Sequence, residues 1–250
     1  MIILKTEREI SIMIEAGRIS ARALKLAGES VKPGISTWEI DSIAQEYIES
    51  QDAVPSFLNH KEYPASTCIS INNVVVHGVP SKDIIVKKGD IVSIDIGAYF
   101  EGFHGDNAYT FACGEISETA QRLINTTKES LAKGIEVAVV DNKIGDISHT
   151  IQKYAEERGY SLVRKYVGHG IGTGLHEDPS VPNFGEPHKG AKLCKGMVIA
   201  IEPMVNIGTH EVRVLSDNWT TVTADGKLSA HFEHTIAITD DGPIILTNAE

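Results

Sequence analysis

Four carboxylates interrupt runs that otherwise read as apolar strands. Asp95 lies in IVSIDIGA, Asp106 in HGDNAYTF, Glu202 in VIAIEPM and Glu233 in AHFEHTIAI. In the first run Val92, Ile94 and Ile96 fall on the strand face opposite Asp95. A buried carboxylate is costly unless it is protonated, paired or bound to a cation, and few basic side chains fall inside these strands. One acidic residue in one strand ordinarily faces solvent; four in apolar strands need another account. Four carboxylates carry about −4 and two divalent ions about +4. Paired ions sit about 3.5–4 Å apart, share carboxylates and activate a water. His169, flanked by glycines in VGHGIGTGLHEDP, is the imidazole candidate. A mostly oxygen donor set with one imidazole suits Mn, Fe, Co or Zn. The run GHGIGTG also looks like a phosphate loop, but no GK[ST] opening a helix follows it.

The elements that must position these groups come in two similar sets. Thr6-x-x-Glu9 and Ser36-x-x-Glu39 are capping boxes. Behind the first, Ile10, Met13, Ile14, Gly17, Ala21 and Leu24 share a helical face. Behind the second, Ile40, Ile43, Ala44, Tyr47 and Ile48 do, up to about Gln51. Segments 68–76, 91–100 and 104–113 read as strands, with a hairpin turn at FEGFHG between the last two. Helical spacing returns at Ala120, Leu123, Ile124, Thr127 and Leu131, and again at Ile147, Thr150, Ile151, Tyr154 and Ala155. Strands follow at 197–205, 219–224 and 230–239. A shift of 107 carries the face Ile40–Ile48 onto Ile147–Ala155, Lys88-Gly89 onto Lys195-Gly196, and Ile94-Asp95 onto Ile201-Glu202. Two copies are too few for a solenoid. The expectation is an α+β fold of one domain, residues 1–250, with pseudo-twofold halves of roughly 1–115 and 116–250 meeting at a central cleft.

Composition narrows the class. The 250 residues carry 23 basic and 34 acidic side chains, net −11, which disfavours nucleic acid and anionic membranes as partners. Hydrophobic residues make up 42%, enough for a substantial core. Cys68, Cys113 and Cys194 form no CxxC pair, so a reducing compartment is expected. The N-terminus lacks the zones of a signal peptide, and no run approaches the roughly 18 apolar residues of a membrane span. These features predict a soluble, cytoplasmic protein.

The set DIGAYFEGFHGDNAYTF, GHGIGTGLHEDP, AIEPM and EHTIAI resembles the methionine aminopeptidases, of the "pita-bread" metallopeptidase fold, nearly end to end. The short interval between His176 and Glu202 is similar to type I, and the short N-terminus to the bacterial form. The resemblance implies that Asp95 holds one of two divalent ions, that Asp106 and Glu233 bridge them, and that His169 and Glu202 complete the second. It implies Glu202 as proton acceptor, His176 at the substrate carbonyl and His77, in VVVHGVPS, at the scissile amide. It implies a methionine pocket of Tyr63, Cys68, Met204 and Trp219, and a monovalent-cation site at Asn72, Val74 and Ser229. The sequence departs from the bacterial pattern at Phe57, His60 and Leu175, which bears on pocket shape. The implied substrate is the N-terminus of a peptide or nascent chain, with ribosome association by analogy and a monomeric enzyme. His60, His104, His149, His188, His210 and His231 are expected in loops or on the surface, and His234 on the strand face away from Glu233. The rival readings are a proline-directed peptidase, which usually carries a large extra N-terminal domain where only 94 residues precede Asp95, and an inactive binding protein on the same scaffold.

Overall fold

The computed structural model describes residues 1–249. The first half runs α1 (Glu7–Glu29), α2 (Thr37–Ser50), β1 (Val54–Pro55), a 3-10 turn (His60–Glu62), β2 (Thr67–Ile71), β3 (Val74–Val76), β4 (Ile91–Phe100) and β5 (Phe103–Ala112). The second runs α3 (Glu118–Glu136), α4 (Ile144–Glu156), β6 (Ser161–Leu162), β7 (Gly168–Gly170), β8 (Glu177–Val181), β9 (Val198–Ile201), β10 (Met204–Asn206), β11 (Val212–Val214), β12 (Thr221–Thr223), β13 (Ser229–His231), β14 (Glu233–Thr239) and β15 (Gly242–Ile245). Both predicted capping boxes form, closing the first turns of α1 and α2 on Thr6 and Ser36. This is the expected α+β pita-bread architecture. Among the described residues no helix is long and apolar enough to cross a membrane.

A nine-stranded sheet spans both halves. Its path is β1-β4-β5-β14-β9-β7-β8, with β2 added to β4 and β15 to β14. The junction is the β5–β14 pair, where Glu233 faces Ala108 and His234 faces Asn107. Strand alternation gives the sheet two unlike faces. Val92, Ile94 and Ile96 point outward beneath α1 and α2, against Ile19, Ala23, Ile40 and Ile48. Ile199, Ile201, Ile236 and Ile238 lie in the core that contains Leu123, Ile147 and Ile151 of α3 and α4. Each fully buried isoleucine contributes about 2 kcal/mol. The helices thus take up the apolar face and leave the other for the site.

The repeat is visible in the backbone. An isolated bridge joins Ser36 to Ile85, and its counterpart joins Lys143 to Lys192, each residue 107 beyond its equivalent. Glu39 accepts from the Ser36 amide at 2.9 Å, and Asp146 from the Lys143 amide at 2.8 Å. Gly89 and Gly196 both turn through positive φ, 94° and 86°, a conformation costly for other residues.

Some expectations change. Segment 68–76 is two strands, because Asn72 adopts φ 57° and turns the chain between β2 and β3. Segment 197–205 breaks after Ile201, since Pro203 has no N–H for the ladder. Segment 230–239 breaks at Phe232. Ile14 is 38% exposed, although it was expected on the buried face of α1. Gly17 sits on that face because α1 rests directly on β5. A Cβ on Gly105 would lie 2.5 Å from the Gly17 nitrogen.

Candidate metal centre

Five neighbouring strands bring the five expected ligands together. Cross-strand register aligns Asp95, Ala108 and Glu233 across β4, β5 and β14. His234 faces Ile201, so the next step places Glu202, just past β9, beside Glu233. Two residues along, Gly97 faces Asp106, and Thr235 exchanges two hydrogen bonds with the Asp106 backbone. His169 lies on β7, next to β9. The intervening positions on this face, Gly97, Ala108, Ala200 and Thr235, are small and leave room over the carboxylates.

The electrostatics call for cations. Asp106 and Glu233 are buried, at 3% and 2% exposure. Asp95 Oδ1, Asp106 Oδ1 and Glu233 Oε1 are buried without any hydrogen-bond partner. Burial pushes the Asp95 carboxyl up to about 7. Burial, then the neighbouring carboxylates, push Asp106, Glu202 and Glu233 well above the usual range. Among the described residues no lysine or arginine forms a salt bridge with any of them. His169 Nδ1 lies 2.9 Å from the Gly170 carbonyl, which can only accept. Nδ1 therefore carries the proton, and Nε2 keeps its lone pair for a cation. That Nε2 lies 3.5 Å from Glu202 Oε1. One ligand atom each from Asp106, His169 and Glu233 falls within 4.8 Å of the others. Unpartnered buried oxygens plus a free imidazole lone pair fit divalent cations.

The carboxylates floor a cavity of about 180 Å³, lined above them by Phe57, His60, Lys61, Tyr63, Cys68, His77, Leu175, His176 and Trp219. Tyr63 packs edge-on to Trp219, ring centres 5.0 Å apart. Its hydroxyl is within reach of the Thr67 and Gly78 carbonyls, at 3.0 and 3.1 Å. Cys68 pairs across strands with Asp95, and burial pushes its thiol up. His77 follows β3 at φ 58°, its ring edge-on to Tyr166 and Trp219. Burial lowers its pKa to about 4. The His176 ring stands 4.4 Å from that of His169. Burial, then the adjacent imidazoles, lowers its pKa to about 3. Both histidines are thus neutral at pH 7, and each offers one N–H and one lone pair.

The model of metallopeptidase family M24 matches residues 11–240. The methionine aminopeptidase of Clostridium perfringens is 57% identical over 247 residues, covering 99% of each chain. This chain belongs to the methionine aminopeptidases of family M24. The crystal structure of the methionine aminopeptidase from Thermotoga maritima matches with TM-score 0.98 at 44% identity, over 99% of this chain and 100% of that one. The prolidase of Pyrococcus horikoshii matches with TM-score 0.78 at 25% identity, and this chain spans 64% of it. Similarity along the whole length thus lies with the methionine aminopeptidases rather than the proline-directed branch of the fold.

Within this family member, some residues sit elsewhere than expected. Met204 does not line the cavity; it is fully buried with Val75, Val76 and Val163. His60 lies in a loop as expected, but that loop lines the cavity, 5.4 Å from the His176 ring, with Nε2 buried and unpartnered. His231 is 2% exposed on β13, its Nε2 3.9 Å from Glu202 Oε2. His104 is half-buried, with Nδ1 2.8 Å from Ser56 Oγ. A signal for His104 was present, since it stands two residues before Asp106 on β5 and strand period places both on the same face. His234 points away as expected, bonded to Thr247. The Ser229 amide donates to the Asn72 carbonyl at 2.9 Å, so these two residues meet, with Val74 beginning the adjacent β3.

Proposed function

We propose that this chain removes the N-terminal methionine from peptides whose second residue is small, as a single metallopeptidase unit holding two divalent ions. The supporting observation is a cavity with aromatic and aliphatic walls set directly on the clustered carboxylates. At about 180 Å³ it is smaller than a usual ligand pocket of roughly 300–1,000 Å³. It suits one unbranched, polarizable side chain and the amide next to it. Phe57, Tyr63, Cys68, Leu175 and Trp219 surround the methionine thioether. The substitutions Phe57 and Leu175 shape that pocket without adding charge.

Asp95, Asp106, His169, Glu202 and Glu233 would together hold the two ions. Ions there supply Lewis acidity toward water and the scissile carbonyl. Glu202 accepts the proton from the attacking water and returns it toward the leaving amine. Neutral His176 donates its N–H to the carbonyl oxygen as charge develops there. Donors fixed in a dry site are worth most at that moment. His77 hydrogen-bonds the scissile amide from the opposite side of the cavity. The monovalent cation belongs with Asn72, Val74 and Ser229. Free peptide N-termini are the substrate class; nascent chains at the ribosome, the cytoplasm and a monomeric state belong to the same reading.

The test is a series Met-X-Ser with free methionine measured. A bulky X overpacks rigid strand walls at a cost of about 3 kcal/mol, roughly two powers of ten in kcat/KM. Rates should fall with the volume of X. Equal rates for Met-Ala-Ser and Met-Phe-Ser would refute the reading, as would cleavage of Ala-Pro peptides with no need for methionine.

A further inference from the structure

His176 has a job that demands precise placement, yet among the described residues its ring makes no hydrogen bond. Its place is set by the backbone of the six-residue loop from Ile171 to His176, between β7 and β8. That loop is tied to a distant part of the chain. Glu177, the next residue, turns its carboxylate back into the loop and accepts from the Gly174 amide at 3.0 Å. Its other oxygen meets Lys5 Nζ at 2.5 Å, with side chains 10% and 4% exposed. Lys5 also donates to the Ile3 carbonyl at 3.2 Å, and its amide donates to the Gly196 carbonyl at 2.7 Å. The Lys5 backbone is therefore anchored to the turn that enters β9. Gly172 makes space for it, since a Cβ there would lie 2.4 Å from Lys5 Cε. The Gly172 carbonyl accepts from the His104 amide at 2.9 Å, which fixes the near end of the loop to β5. The glycine run GHGIGTG has its use here.

We infer that Lys5, through Glu177, is a positioning residue that holds His176 at the scissile carbonyl. The inference rests on the role of His176 in the proposed function. The pair is buried, and Lys5 is the one cation that meets Glu177 among the described residues, so removing it leaves an uncompensated charge against the loop. The carboxylate then turns elsewhere, the Gly174 contact opens and His176 loses its backbone frame. A shift of about 1 Å in a positioned group can cost on the order of a hundredfold in rate. The carboxylate ligands sit on separate strands, so cation binding stays intact.

The experiment compares the parent with K5M, K5R, H176A, K5M/H176A and K5M/E177M. Three quantities are read: kcat and KM on Met-Ala-Ser, Mn²⁺ affinity of the metal-stripped protein by calorimetry, and Tm. K5M should lower kcat roughly ten- to a hundredfold with KM and Mn²⁺ affinity unchanged, and K5R should regain most of it. K5M/H176A should be no slower than H176A alone. K5M/E177M replaces the ion pair with apolar packing and should recover Tm while kcat stays low; it carries the comparison if K5M does not fold. Recovery of kcat together with Tm in that double variant overturns the inference, because the pair is then structural only. Independent, multiplicative effects of K5M and H176A overturn it too. Loss of Mn²⁺ affinity in K5M also does so, by moving the effect to His169. If H176A itself keeps the parent kcat, the reading of His176 fails, and the positioning role fails with it. If H176A is slow and K5M is not, only the positioning role fails.

Discussion

Stripping the divalent ions should make the stability of this protein fall as pH rises, relative to the loaded form. In the stripped chain Asp95 is held protonated up to about 7 by burial, against about 3.9 in an unfolded chain. Asp106, Glu202 and Glu233 are raised the same way. Below about pH 4 both states are protonated and the native state is not penalised. Above it the unfolded chain ionises while the native cluster keeps its protons, so stability is lost until pH passes the folded pKa. Shared over the coupled carboxylates, the penalty is on the order of a few kcal/mol, several degrees in Tm for a chain of this size. Five histidines act in the opposite sense. His77, His104, His176, His231 and His234 have pKa values lowered to about 3 or 4 by burial. Their contribution is complete above about 6.5 and is lost on acidification. They are neutral in stripped and loaded protein alike above about pH 5, so the Tm difference between the two forms isolates the carboxylates. Scanning calorimetry from mildly acidic to mildly basic pH should show that difference widening with pH. Asp106→Asn should raise Tm of the stripped protein at the basic end and lower that of the loaded protein. A gap that narrows with pH, or a stripped Asp106→Asn variant less stable than the stripped parent, would refute the electrostatic account.

Glu202→Gln should lower kcat by about 10³-fold, within the usual range for a lost acid–base group, and near-normal hydrolysis at saturating metal would remove Glu202 from both roles. His77→Ala should lower kcat by about 10²-fold with metal content intact by elemental analysis; a fall in metal content would place His77 among the ligands. Ile40→Ala and Ile147→Ala, equivalent under the repeat and both fully buried, should each cost about 2–5 kcal/mol in urea unfolding, and a surface-like cost at either one would break the equivalence of the halves.

The helices and the sheet were legible because their signals are local. Capping boxes and 3.6-residue spacing located α1 and α2, and the alternation of Val92, Ile94 and Ile96 around Asp95 marked β4, Ile91–Phe100. The ligand candidates were legible because a carboxylate in an apolar strand violates its own surroundings. What was not legible depends on partners far away in sequence. The break after Ile201 reflects Pro203 and the register against β14. Ile14 was misplaced because a helical stripe says which residues can be buried, not how wide the covering surface is. Met204 fits a thioether pocket by type, but β10 pairs with β13 and turns it into a cluster with Val75 and Val163. His60 and His231 were set aside because a histidine carries no periodic signal of its own. Only the sheet face that each strand presents, or the loop that folds over it, puts them at the cavity.

The two halves also divide the labour in a way that their repeat makes clear. Asp95 and Glu202 obey the shift of 107, but Asp106 and Glu233 do not. The interval from Asp95 to Asp106 is 11 residues, whereas that from Glu202 to Glu233 is 31. The short interval is a hairpin turning at Glu101-Gly102. The long one carries twenty additional residues, among them the β11–β12 hairpin, which pairs with β3 and brings Trp219 against Tyr63. Symmetric strands therefore supply the charge cluster, where equivalent carboxylates from two halves suit two like ions. The added segment brings Trp219 to the cavity opposite the loop 57–63, and the two supply its aromatic wall. A site built from the repeat alone would hold cations but would have no reason to prefer one end of a peptide or one side chain. Selectivity enters where the repeat fails, so substitutions in the β11–β12 hairpin that carries Trp219 should change KM and substrate preference while Mn²⁺ affinity holds. Loss of affinity from Trp219→Ala would contradict that division.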